Sequence, residues 1–153
     1  MEDKYKDIRV ITSEELDLKL ILSDIPQAAF YYEIIRNSDN ESVGSCGIRI
    51  KKTDENYYLG NIEYEVDEEY RGNNYAYKAC KLLTVVAKYF GCNDLSITTT
   101  PTNFASLKII EKLGAKFIKV ETVPENIKLY KQKDRFISIY KWNINDKGEK
   151  IKW

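Results

Sequence analysis

Between Val66 and Ala76 the chain reads VDEEYRGNNYA, and four residues there, Arg71, Gly72, Asn73 and Asn74, suit one chemistry. Glycine lets a ligand come close to the backbone and takes dihedral angles closed to other residues. Asparagine is among the few other residues that tolerate the left-handed region. Arginine can add a charge-assisted bond to an oxyanion. An amphipathic segment follows at once. The first N–H groups of a helix have no partner inside it and, with the helix dipole, attract anions. Such a turn is suited to a pyrophosphate. A plain connection can have the same composition, however, and neither a P-loop nor a dinucleotide-binding glycine pattern is present. Just upstream, Glu63 and Glu65 alternate onto one face of a strand. Partial burial would raise a carboxyl group toward neutrality and fit it to act as a base. A solvated strand face is the ordinary alternative.

The chain has no histidine. That excludes Ser-His-Asp and Cys-His catalysis and every zinc site that needs imidazole. Proton transfer falls to carboxylate, Tyr, Lys, Cys, a terminus or water. The formal net charge of zero favours neither nucleic acid nor an acidic membrane as partner. No apolar run approaches the ~20 residues of a membrane span, and MEDKYKDIRV lacks the apolar stretch of a signal peptide. Cys46, Cys80 and Cys92 match no zinc or disulfide spacing, and read as reduced thiols in a cytoplasmic protein.

The elements that position these residues follow from periodicity. The length of 153 residues fits a single domain, 1–153, with a polar tail from about Asp146. DIRVIT, LDLKLIL, AAFYYEIIRN and SVGSCGIRIKK read as strands, TDEN as a turn, and YYLGNIEYEV as a further strand. Ala76, Ala79, Cys80, Leu83, Val86, Ala87 and Phe90 form a helical stripe ending at Gly91. DLSITTT is a strand, Phe104 to Leu113 a second helix ended by Gly114, AKFIKVETV a strand, Pro124 to Asp134 a loop and RFISIYKWNI a last strand. The fold class is α/β with a mixed sheet: an antiparallel N-terminal meander, then strands and helices around a crossover.

Two motifs in this order carry a resemblance. EYRGNNYA, Glu69 to Ala76, is followed about thirty residues later by NFAS, Asn103 to Ser106, and EKLGAKF, Glu111 to Phe117. The chain resembles the GNAT superfamily of N-acetyltransferases, and within it the ribosomal-protein and spermidine-type branch. The resemblance implies a GNAT fold with a splayed parallel strand pair and an acetyl-CoA site without metal. The pyrophosphate would rest on the backbone of Arg71, Gly72, Asn73, Asn74, Tyr75 and Ala76. The pantetheine arm would add to the strand ending at Val66. Asn103 would hydrogen-bond that arm, and Ser106 would help hold the cofactor end. A neutral amine would attack the thioester directly. The Val66 amide would be the oxyanion donor, and Glu63 and Glu65 would be candidate bases beside a water relay. Asn74 stands where relatives usually have glycine, and Ile110 where many have a tyrosine acid.

The acceptor implied is a primary amine on a small molecule or peptide. The short segment from Ser13 to Pro26 implies a reduced lid and an open groove, unless a second subunit of a homodimer closes it. Lys108 and Lys112 are surface residues or contacts to the 3′-phosphate. Tyr31, Tyr32, Tyr57 and Tyr58 are half-buried strand residues or walls of an amine groove. An idle acyl-CoA-binding module and a strand-edge peptide-binding domain are the alternatives to an enzyme.

Overall fold

The structure is a computed structural model that describes residues 5–128, 130, 131, 133 and 135–145. The expected polar tail, 146–153, lies outside the described residues. Five strands form one antiparallel sheet in sequential order: β1 (Val10–Ile11), β2 (Leu16–Asp24), β3 (Ala29–Arg36), β4 (Glu41–Arg49) and β5 (Ile62–Val66). A second sheet has the order β6 (Asp94–Thr99), β8 (Phe136–Asn143), β7 (Lys116–Thr122). Among the described residues three α-helices are inserted: α1 (Asp54–Leu59), α2 (Tyr75–Tyr89) and α3 (Phe104–Leu113).

The sequence reading fails at α1. TDEN begins a helix, not a turn, and the next strand is shorter than YYLGNIEYEV. Thr53 supplies the reason. Its hydroxyl accepts from the Asn56 N–H at 3.0 Å, Asp54 and Glu55 suit the positive end of the dipole, and Gly60 stops the helix at φ +81°. Before Ala28 the described residues contain no α-helix, only short 3-10 turns around β1 and β2.

α2 packs on β2, β4 and β5. Its buried residues include Ala79, Cys80, Leu83, Val86 and Ala87 from the expected stripe, while Ala76 and Phe90 at its ends are only half-buried. They meet Phe30, Tyr32, Ile34, Val43, Cys46, Ile48 and Ile62 from the sheet. Burying each such side chain stabilises the fold by about 1.5–3 kcal/mol. A smaller cluster, Val123, Ile127, Tyr130, Ile137 and Ile139, lies under the segment after β7. Arg135 ties that segment together, donating to the carbonyls of Val123, Pro124, Ile127 and Tyr130.

The expected pair of neighbouring strands, β5 and β6, shares no ladder. They are joined at one end only. The Asn61 N–H donates to the Ser96 carbonyl at 2.7 Å, and the Ser96 N–H to Asn61 Oδ1 at 2.6 Å. β6 takes β8 as its hydrogen-bonding partner instead. The result is a gap between the two sheets.

Candidate active site

A cleft of about 1240 Å³ opens along this gap, lined by β5, the start of α2, the end of β6 and α3. The ladder between β4 and β5 decides which groups of β5 face it. The Asp67 N–H bonds to the Val43 carbonyl, and the Arg49 N–H to the Asn61 carbonyl. Antiparallel alternation then gives the odd-numbered residues of β5 to β4. The N–H groups of Tyr64 and Val66 are turned the other way, toward the gap. This edge stays close to β4 because position 44 is glycine: a Cβ there would lie 2.2 Å from the Glu65 carbonyl oxygen.

The turn after β5 has the conformation its residues favour. Gly72 has φ +89° and Asn74 φ +63°. A Cβ at Gly72 would meet no atom within 4 Å, so the backbone there is open to a ligand. α1 and α3 are capped by the side chains of Thr53 and Asn103, whereas Asn74 makes no side-chain cap on α2. The first helical bond of α2 runs from the Lys78 N–H to the Asn74 carbonyl. Its leading amides therefore remain available, and no acidic residue occupies its first turn.

Arg71, Gly72, Asn74 and Ala76 line the cleft. Arg71 was expected to reach a phosphate. Its Nε donates to the Val66 carbonyl at 2.9 Å, tying the turn to the strand end and leaving its terminal guanidinium nitrogens for an anion. The side chains of Asn73 and Tyr75 serve the scaffold. Asn73 donates to the Tyr70 carbonyl at 3.0 Å, and Tyr75 is buried in the core cluster. Lys108 and Lys112 do line the cleft, and Lys112 Nζ sits 4.7 Å from the Tyr77 ring centre.

Asn103 and Ser106 both border the cleft, with local partners already made. Asn103 Oδ1 accepts from the Ser106 N–H at 3.1 Å and caps α3, and among the described residues its amide nitrogen makes no hydrogen bond. Ser106 Oγ lies 2.6 Å from the hydroxyl of Tyr64. Tyr64 was not among the residues the sequence singled out. Burial pushes its phenol up to about 12.

Glu63 and Glu65 also line the cleft, both exposed. Register puts Tyr31, Gly47 and Glu63 in one cross-strand row, and Glu33, Ser45 and Glu65 in the next. Glu63 is held by Arg49 at 3.2 Å. Arg49 is itself buried and donates to the carbonyls of Gly60 and Leu59 at the end of α1. Among the described residues, Glu65 has no such cation. Ile110, the position of the tyrosine found in many relatives, is fully buried in the core and does not border the cleft. Cys46 and Cys80 are buried too, and burial pushes the Cys46 thiol up to about 12 and Cys80 upward as well. Neither is a nucleophile at neutral pH. Of the tyrosine pairs, Tyr31 borders the cleft, while Tyr32 is core and donates to the Ile8 carbonyl at 2.7 Å.

Residues 8–116 match the family model described as an acetyltransferase (GNAT) domain. The chain belongs to the GNAT acetyltransferases. The fold is shared with solved GNAT structures of low identity. The apo form of RimL, a ribosomal α-N-protein acetyltransferase, is 16% identical with a TM-score of 0.66, over 88% of this chain and 98% of that one. An acetyltransferase from Agrobacterium tumefaciens is 16% identical at TM-score 0.65, over 94% and 99%. A ribosomal-protein alanine acetyltransferase from Vibrio fischeri is 17% identical at TM-score 0.60, over 77% and 63%. RimL has also been solved in complex with coenzyme A, at 15% identity and TM-score 0.66, over 88% and 97%. No curated protein matches this sequence significantly.

Proposed function

We propose that this GNAT protein transfers the acetyl group of acetyl-CoA directly to a primary amine. The observation that carries the reading is the start of α2: a helix without a side-chain cap, preceded by Gly72 and Asn74 at positive φ, opening onto the gap beside β5. The backbone of Arg71 to Ala76 would hold the pyrophosphate. The gap-facing amides of Tyr64 and Val66 would pair with the pantetheine arm like an added strand, with Val66 as the oxyanion donor. The side-chain amide nitrogen of Asn103, which lines the cleft, would meet the same arm.

Of the two carboxylates, Glu65 is assigned the base role, because Arg49 occupies Glu63. Asp24, Glu55, Glu63 and Glu65 line the cleft beside the cations Arg49, Arg71, Lys108, Lys112 and Lys131, with Tyr31 and Tyr130 among the walls. The Glu65 carboxylate would be the counter-charge for an acceptor that arrives as an ammonium ion. Peptide N-termini come first among such acceptors, because RimL and the V. fischeri enzyme are named for ribosomal proteins. Small polyamines come second. The absence of an α-helix before Ala28 among the described residues leaves the groove broad enough for a peptide, with closure by a second copy of the chain as the homodimer alternative. Reaction in the cytoplasm agrees with a donor and acceptors of this kind. Among the described residues, no helix is long and apolar enough to cross a membrane.

Calorimetric titration with acetyl-CoA tests the reading, followed by release of CoA thiol against a panel of peptides and polyamines. Micromolar binding weakened by Asn103→Ala, with turnover of one acceptor class, is the expected result. A folded protein that binds no acetyl-CoA would refute it.

A further inference from the structure

Tyr64 is the middle residue of β5, and its side chain reaches across the gap to the first turn of α3, where its hydroxyl meets Ser106 Oγ at 2.6 Å. Both residues border the cleft. A hydroxyl has one hydrogen to give and lone pairs to accept with. Of the two groups the phenol is the stronger acid and hence the better donor, and the aliphatic hydroxyl is the better acceptor. Burial holds Tyr64 in its protonated form at neutral pH. With the phenol donating to Ser106 Oγ, the serine hydrogen has to point elsewhere. Among the described residues, Ser106 Oγ has the Tyr64 hydroxyl as its partner and donates to no backbone carbonyl. The cleft is the open direction. A hydroxyl that accepts one hydrogen bond also becomes a stronger donor in the next.

We propose that Tyr64 is a positioning residue, which turns the hydroxyl hydrogen of Ser106 into the cleft as a donor to the departing sulfur of the acyl donor. This rests on the acetyl-CoA reading of the cleft. In the transfer, the amine nitrogen bonds to the acyl carbon and the carbon–sulfur bond breaks. Its electron pair goes to sulfur. The ammonium proton leaves to the base, and the thiolate takes a proton from water. Ser106 and Tyr64 keep their own protons throughout and stabilise charge on the sulfur.

The test needs no acceptor. CoA is the probe, and the thiolate absorbance of its complex is titrated against pH with the desulfo-CoA complex subtracted, which removes the tyrosine signal. The bound thiol is expected to ionise about one pH unit below free CoA, the size of one charge-assisted hydrogen bond. Tyr64→Phe should return it to the free value with CoA affinity at neutral pH retained, Ser106→Ala should return it as well, and Ser106→Thr should keep the shift. A thiol that ionises in Tyr64→Phe as in the wild type overturns the inference and leaves the cofactor site standing. So does a wild-type thiol that ionises no lower than free CoA. Failure of the wild type to bind CoA removes both.

Discussion

Gly72 offers a way to separate the backbone of the α2 turn from its charge. At φ +89° with no atom within 4 Å of an added Cβ, the position has space for a side chain but an unfavourable backbone for one. Gly72→Ala should therefore cost about 1–2 kcal/mol of stability, the left-handed penalty alone. Gly72→Asp carries the same backbone cost and adds one negative charge where a pyrophosphate would rest. Against each of two phosphate charges about 5 Å away, the repulsion in a water-like medium is about 0.8 kcal/mol, or about 1.6 kcal/mol together. That corresponds to roughly a fifteenfold loss of affinity at low salt, shrinking as ionic strength rises. Calorimetry with acetyl-CoA on both variants, at two salt concentrations, reads the difference directly, and urea unfolding checks that their stabilities match. Equal affinities for Asp and Ala at low salt would show that no anion sits on this turn. A gap between them that does not respond to salt would place the effect in structure and not in charge.

The carboxylate assignment predicts that Glu65→Gln lowers kcat by about 10²–10⁴ with acetyl-CoA affinity retained. Glu63→Gln should change kcat far less, and a larger loss there would reverse the assignment. Thr53→Ala removes the cap of α1 and should cost about 1 kcal/mol in a urea unfolding curve. Asp39 is bonded to Arg36 at 2.9 Å, and that bond holds its carboxyl below the ordinary range. Its contribution to stability is then full above the unfolded carboxylate value and is lost as pH falls through the depressed one. Asp39→Asn should therefore lower the unfolding midpoint at neutral pH and leave it unchanged in strong acid. A loss that persists in acid would assign the effect to packing.

What the sequence reveals here is what local rules govern. The stripe from Ala79 to Ala87 and the stops at Gly91 and Gly114 depend only on spacing, and the helices α2 and α3 lie where that spacing puts them. The RGNN turn was legible because positive φ selects glycine and asparagine wherever it occurs. TDENYYL was misread because its aromatic pair suggests a strand. The deciding signal was the Thr53 cap with two acidic residues behind it, a feature readable in the sequence when start signals are weighed against β propensity.

The roles of individual side chains were less legible, for a reason the structure makes concrete. Arg49, Tyr64 and Ser106 acquire their functions from partners 14, 42 and 42 residues away. Strand alternation could assign Tyr64 to the face opposite Glu63 and Glu65, and that assignment is right. It could not say that this face ends at a gap instead of at another strand. The gap exists because β6 pairs with β8, a choice made by residues near the end of the chain. A tyrosine that would otherwise be one more core aromatic thus meets a serine hydroxyl at the edge of a cleft. Likewise, Glu63 and Glu65 are equivalent in the sequence and are separated only by Arg49, whose guanidinium is fixed by the carbonyls at the end of α1. The cap on α1 therefore bears on which carboxylate is left for catalysis. In Thr53→Ala, frayed carbonyls would loosen Arg49 from Glu63, and the difference in kcat between Glu63→Gln and Glu65→Gln should narrow in that background. An undiminished difference would mean that something other than Arg49 distinguishes the two glutamates.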